Sequence, residues 1–265
     1  IEREGKNPPM TAIRETLYSL LERPSVDPRA VNLLGFFSAL DPGSDLLSLM
    51  RDAGIRTVHQ IAAKETLEDY YEMGKANFNI VLHPEAVPAA VSLQKRLGMP
   101  FLELHRLYDP ERIHNQYKLF GAAVGVTLDD EVLYEACIAR RDAFAKRFAG
   151  ASVVIGEMCN ANPYELAAFL TSLGLDVREI HSNLTAYDVP FVKQLAAVSP
   201  GTKVFTGISP SMVHYEPDPS IDVTIGKDAA VCCPDAKHVL WNSEQQPFGY
   251  TAVNGLLTEL EEVLA

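Results

Sequence analysis

The sequence predicts an α/β protein made of two tandem Rossmann-like domains with parallel sheets. Three observations carry that expectation. Short apolar runs alternate with amphipathic helical stretches, the pattern of βαβ units. The alternation stops in mid-chain for two helical stretches and then restarts, which fits two open sheets better than one closed barrel. At 265 residues the chain is long enough for two cores.

The elements follow in order. Ile13, Leu17, Leu20 and Leu21 recur with a helical period over Thr11 to Glu22, and Pro24 ends it. The run from Ala30 to Phe37 reads as a buried strand, followed by the turn residues Asp41-Pro42-Gly43-Ser44 and a helix from Asp45 to Ala53. Further strand and helix pairs follow: Ile55 to Ile61 with Leu67 to Lys75, then Phe78 to Leu82 with Glu85 to Leu97. Phe101 to Leu104 is a fourth strand. Two helices fill the stretch from Asp109 to Gly150. Strands resume at Ala151 to Ile155, Asp176 to Ile180, Lys203 to Thr206, Asp222 to Ile225 and His238 to Trp241. A helix from Pro163 to Leu173 sets Leu166, Phe169, Leu170 and Leu173 on one stripe, and a last helix does the same with Val253, Leu256, Leu257, Leu260, Val263 and Leu264. The expected division is a first domain over 1–125, a linking helix over 126–150 and a second domain over 151–265.

Composition narrows the function. The 47% hydrophobic and 22% charged fractions belong to a globular chain rather than a disordered one. A net charge of −12 with no basic run argues against a nucleic-acid partner. No apolar run reaches the roughly 18–20 residues of a membrane span, and no charged-then-apolar leader precedes the domains. No membrane partner and a cytoplasmic location are therefore expected. The chain starts at Ile1 with polar residues, which reads as the tail of a piece cut from a longer protein. Cys137, Cys159, Cys232 and Cys233 form no C-x-x-C pair, so reduced thiols are expected rather than structural zinc or a disulfide framework.

Ligands of open parallel sheets bind beyond the carboxyl ends of the strands. That rule selects Phe37, Ser38 and Asp41, then His83 with Glu85, then His105 in the first domain. In the second it selects Glu157, Cys159, Asn160 and Asn162, His181 to Asn183, Gly207 and Ser209, and Gly226 to Asp228. His83, His105 and His181 are candidates to move protons or to ligate a metal, or else they hydrogen-bond loop backbone. The loop from Gly156 to Pro163 offers free amides at a helix start but lacks the G-x-G-x-x-G spacing of a dinucleotide site. Asn160 or Asn162 suits a helix cap, and Cys159 is either a dipole-favoured thiolate or a small packed residue. Cys232-Cys233 reads as structural. The pairs Asp129-Asp130 and Glu261-Glu262 read as helix-terminal or solvated charges.

Several phrases, taken in order, resemble the nitrogenase component 1 family of oxidoreductases. They are Val31-Asn32-Leu33-Leu34-Gly35; the stretch from Gly74 to Glu85 running on through Arg96-Leu97-Gly98-Met99-Pro100-Phe101; Val153-Val154-Ile155-Gly156-Glu157 with Leu173-Gly174-Leu175-Asp176-Val177; and Ile221 to Gly226 followed by Pro247-Phe248-Gly249-Tyr250. The family's subunits have three Rossmann-like domains, and this chain looks like the second and third. The resemblance implies a catalytic-type subunit of an ATP-dependent, nitrogenase-like reductase. It implies an iron–sulfur cluster in the full-length protein, held mainly by a domain absent here, with no cofactor expected in this fragment and the fragment alone inactive. The implied partners are a sister or homologous component 1 subunit and an ATP-dependent iron–sulfur reductase. A cofactor-assembly scaffold and a non-redox two-domain binding protein are the alternatives.

Two positions depart from the nitrogenase catalytic subunit. The cysteine that ligates its cofactor after the matching strand is His83 here, and the histidine before the glycine of its last helix is Phe248. The expected site residues are therefore His83, Glu85, His105 and His181 as catalytic groups, with His83 also a metal ligand. Ser38, Cys159, Asn160 and Ser209 are expected to contact a cofactor.

Overall fold

The computed structural model describes residues 9–265; the polar tail expected at the start falls largely outside the described residues. The chain divides into two compact units. The first holds the chain through Pro42, then Leu46–Arg106 and Gln116–Leu128; the second holds Gly43–Asp45, Leu107–Asn115 and Asp129–Ala265. Each carries one all-parallel sheet, as the alternating pattern predicts.

In the first unit the strands are β1 (Asp27–Leu34), β2 (Thr57–Gln60), β3 (Ala76–Val81) and β4 (Phe101–Glu103), in the order β2-β1-β3-β4. The last five residues of β1 are all buried, because helices cover both faces of a parallel sheet and leave no face for polar alternation. Asn32 and Asn79 break the apolar run at the centre. They are aligned across β1 and β3, and the Asn32 amide donates to Asn79 Oδ1 at 2.9 Å and to the Met73 carbonyl at 3.0 Å. A one-residue slip would turn these buried amides away from each other, so the pair specifies register. Helices α1 (Pro9–Ser19), α2 (Asp45–Asp52), α3 (Leu67–Glu72) and α4 (Val87–Leu97) flank the strands, with Tyr18, Leu21, Met73 and Leu93 in one core. α4 ends at Gly98, whose φ of 64° is the left-handed cap that stops a helix before Met99-Pro100.

The mid-chain helices are α5 (Pro110–Val124) and α6 (Glu131–Phe148). The second unit follows with β5 (Ser152–Gly156), α7 (Pro163–Ser172), β6 (Asp176–His181), α8 (Val189–Val198), β7 (Lys203–Phe205), β8 (Val223–Ile225), α9 (Lys227–Cys232), β9 (Lys237–Val239) and α10 (Gly249–Leu264). Its strand order is β7-β6-β5-β8-β9. Helices α8 and α9 fall where the sequence pattern marked none. α7 is not the one-sided helix its stripe suggests: every residue from Pro163 to Leu170 is buried, Glu165 included. α10 buries Val253, Leu256, Leu257 and Leu260 of the expected stripe, while Val263 and Leu264 at its end are only half-buried. Asp130 stands at the start of α6, as expected of a helix-terminal acid, but it is buried rather than solvated. It accepts hydrogen bonds from Tyr250 at 2.5 Å and pairs with His114 at 2.9 Å. Among the described residues no helix is long and apolar enough to cross a membrane.

Candidate functional site

In each sheet one pair of adjacent strands marks the point where the chain order reverses, and the crevice beyond their carboxyl ends is where open α/β sheets bind ligands. In the first unit that pair is β1 and β3, and the residues beyond them are Gly35-Phe36 and His83. In the second it is β5 and β8, followed by Glu157 and by Gly226 to Asp228.

The first crevice is built around His83. β3 delivers it to the edge, and Pro84 turns the chain into a short 3-10 helix over Pro84–Ala86 that its side chain caps. Nδ1 accepts the Glu85 amide at 3.3 Å, which puts the proton of a neutral ring on Nε2. Burial pushes the imidazole down to about 3, and the neighbouring charges of Arg14, Arg106 and His105 push the same way. His83 thus offers an N–H hydrogen bond at neutral pH, not the labile proton of an imidazolium.

Arg14 reaches this edge from α1. It donates twice to the Gly35 carbonyl, at 2.8 and 2.6 Å, and forms a 2.7 Å ion pair with Glu85. Its guanidinium lies 4.4 Å from the Phe37 ring centre, while Arg106 lies 4.2 Å from that of Phe36. The Phe36 ring meets His83 edge-on at 6.3 Å. His105 pairs with Glu103 at 3.0 Å and is pinned by Gln116 through both backbone atoms. His83, Glu85 and His105 therefore share one edge, as their strand-end positions imply, and Ser38 is half-buried in the loop after β1. Arg14 and Arg106 were not among the expected residues. Neither follows a strand motif, and only the packing of α1 and the chain beyond β4 brings them there.

The second crevice is filled by the protein itself. The Asp228 carboxylate accepts the Glu157 amide at 2.9 Å and the Met158 amide at 3.0 Å. These are the donors that a free anion would use in such a loop. A Cβ on Gly156 would lie 2.0 Å from Asp228 Oδ1, so glycine there is a condition of this closure. Glu157 in turn accepts the Asn183 amide at 2.9 Å.

The remaining expected residues serve the fold in this structure. Asn162, not Asn160, caps α7 through the Tyr164 and Glu165 amides. Asn160 is buried and donates to Gln246 at 3.0 Å. Cys159 donates its thiol to the Gly156 carbonyl at 3.3 Å. Ser209 caps the short turn at Pro210–His214. His181 lies inside the unit, 3.2 Å from Glu179 and stacked on Phe205, with Tyr215 donating to the same Glu179 at 2.7 Å. Glu165, passed over in the sequence, is fully buried and accepts the Tyr108 amide at both oxygens; burial pushes its carboxyl up to about 7.

The thiols do not fit an iron–sulfur cluster, which takes four thiolate ligands. Burial pushes Cys137 up to about 12 and raises Cys232 and Cys233 as well, all against thiolate formation. Among the described residues no group of three or more His, Cys, Asp or Glu side chains is arranged to hold a metal ion.

Two open parallel sheets, each with a reversal of strand order, define the class of fold as doubly wound α/β. The family model for nitrogenase component 1 type oxidoreductases matches residues 2–219, and the chain belongs to that family. It is 36% identical over 84 residues to a subunit of the light-independent protochlorophyllide reductase of Synechococcus sp. (strain JA-2-3B'a(2-13)), a match covering 31% of this chain and 16% of that protein. Among solved structures, nitrogenase Cp1 at pH 6.5 superposes with a TM-score of 0.70 at 16% identity, covering 95% of this chain and 63% of the other. The same nitrogenase at pH 5 gives 0.63 at 15% identity, with 95% and 60% covered. At those identities the structures speak for the fold alone. The chain spans about a sixth of the curated relative and under two thirds of the solved chains.

Proposed function

We propose that this chain supplies the substrate-facing portion of a nitrogenase-like reductase subunit. In this reading it works beside a homologous component 1 subunit and receives electrons from an ATP-dependent iron–sulfur reductase. The observation that carries the reading is the crevice at β1 and β3. It combines the neutral imidazole of His83, two phenylalanine rings and two guanidiniums lying over them. Ring edges beside a fixed N–H donor suit a flat conjugated body that carries polar groups. His83 would orient the substrate by an Nε2–H hydrogen bond, with Glu85 and Arg14 fixing the loop that holds it. The name of the curated relative supports the same substrate class and makes protochlorophyllide the probe of choice. Cluster ligation falls to residues outside this set.

The test is an anaerobic preparation of the natural polypeptide with its homologous subunit and reductase, assayed for ATP-dependent reduction of protochlorophyllide. Turnover, reduced about tenfold to a hundredfold by His83→Ala, is the expected outcome for the loss of one oriented hydrogen bond. A complex with neither iron nor ATP-dependent turnover would end this reading.

A further inference from the structure

A cavity of about 700 Å³ lies at the opposite edge of the first sheet, where the strands begin. Its floor is apolar: Ile55 and Phe78 are buried, and Phe101 is half-buried beside them. Its mouth carries Arg29 and Arg56. Arg29 lies in β1 and Arg56 immediately precedes β2; the register of the two strands, Ala30 opposite Thr57, brings these residues side by side, and the Arg56 amide donates to the Arg29 carbonyl at 2.9 Å. Like charges so placed repel. Among the described residues neither guanidinium has an ion-pair partner within 4.0 Å, although the chain carries an excess of acids. The carboxyl ends of α2 and α5 come close to this rim, and arginine complements a helix end. Each such end carries only about half an elementary charge, however, so the mouth stays positive. No basic run in the sequence shows this pair, because the two arginines are 27 positions apart in the chain.

We propose that this cavity binds a small organic anion, with an aromatic or aliphatic body on the Phe78 and Phe101 floor and its acid group between Arg29 and Arg56. The volume is that of a small-molecule site, and the combination of apolar walls with a few convergent polar groups is what such sites share. The cavity is separate from the crevice at His83, which lies at the other end of the same strands, and it does not depend on the function proposed for that crevice.

The probe is 8-anilinonaphthalene-1-sulfonate, titrated by fluorescence into the full chain, with the uncharged N-phenyl-1-naphthylamine as comparison. One saturable site per chain is expected for the sulfonate. Its affinity should fall about tenfold or more in the Arg29→Ala/Arg56→Ala variant, since charge-assisted hydrogen bonds are the strong ones. Both side chains are exposed, so the variant keeps its fold. Ala123→Trp, which fills the cavity from its exposed wall, should abolish binding. Absence of saturable binding, unchanged affinity in the double variant, or equal affinity for the uncharged probe would each overturn the proposal.

Discussion

Gly35 and His83 stand so close across the β1–β3 junction that a Cβ on Gly35 would lie 2.7 Å from the His83 amide nitrogen. The φ of Gly35 is 133°, a region that only glycine adopts readily. The loop after β1 therefore passes directly against the residue on which the candidate site turns. Gly35→Ala should destabilise the chain by about 2–4 kcal/mol, from strain and backbone collision together. Chemical denaturation measures the loss, and a change within error would mean that the loop is free to move away.

His83 should show no titration near its ordinary 6.5, because burial holds it down to about 3 in the folded chain. A depressed folded pKa stabilises the fold above 6.5 and is lost as pH falls from there towards 3. The slope of thermal stability against pH in that window should flatten in His83→Asn. Direct observation of the ring by NMR should find it neutral at pH 5, and a charged ring there would refute the account.

Arg14 anchors the same loop by its paired hydrogen bonds to Gly35 and its ion pair with Glu85. Arg14→Met leaves the Gly35 carbonyl and Glu85 without that partner, and should cost about 3 kcal/mol. Glu85→Gln keeps an acceptor for the guanidinium and should cost less than about 1 kcal/mol. Equilibrium unfolding of both variants checks the order, and the reverse order would show Glu85 to be the anchor.

Asp228 closes the second crevice by accepting the Glu157 and Met158 amides. Asp228→Ala should lower stability by about 1–3 kcal/mol and free both donors for an anion. Added sulfate should then raise the melting temperature of the variant more than that of the unaltered chain. Equal shifts would mean that the loop collapses instead of opening.

Glu165 is the buried carboxyl whose pKa rises from 4.5 to about 7, mainly through burial. A raised folded pKa stabilises the fold fully below 4.5 and is lost as pH rises through 7. The span corresponds to roughly 3 kcal/mol between those limits. Glu165→Gln should remove this decline, and thermal unfolding from pH 4 to 8 would reveal it. A slope preserved in the variant would assign the effect to another group.

The strand-end placement of the candidate residues was legible because strand ends are legible. The apolar run of β3 ends at Val81, so His83 and Glu85 had to fall just beyond it, and His105 follows β4 by the same logic. Their partners were not legible. Arg14 meets Glu85 across 71 positions of chain, and no local spacing encodes such a meeting. His181 shows the converse: its strand-end position was readable, but not that it packs inward with Glu179 and Phe205. Asp228 was visible as a strand-end acid, yet its role depends on Gly156 lying beneath it. α7 misled because four leucine and phenylalanine positions suggest a stripe, whereas it is buried all round.

By itself the sequence determined the two parallel sheets and most of their helices, and it marked the strand ends at which candidate residues lie. Apolar periodicity and turn residues are local properties, and parallel strands with crossover helices admit few topologies. Only the tertiary structure decided which crevice is filled by its own carboxylate, which histidine is held neutral beside two arginines, and where Arg29 and Arg56 meet at the opposite edge. Those outcomes depend on burial and on charges brought together from distant parts of the chain, and both exist only once the chain has folded.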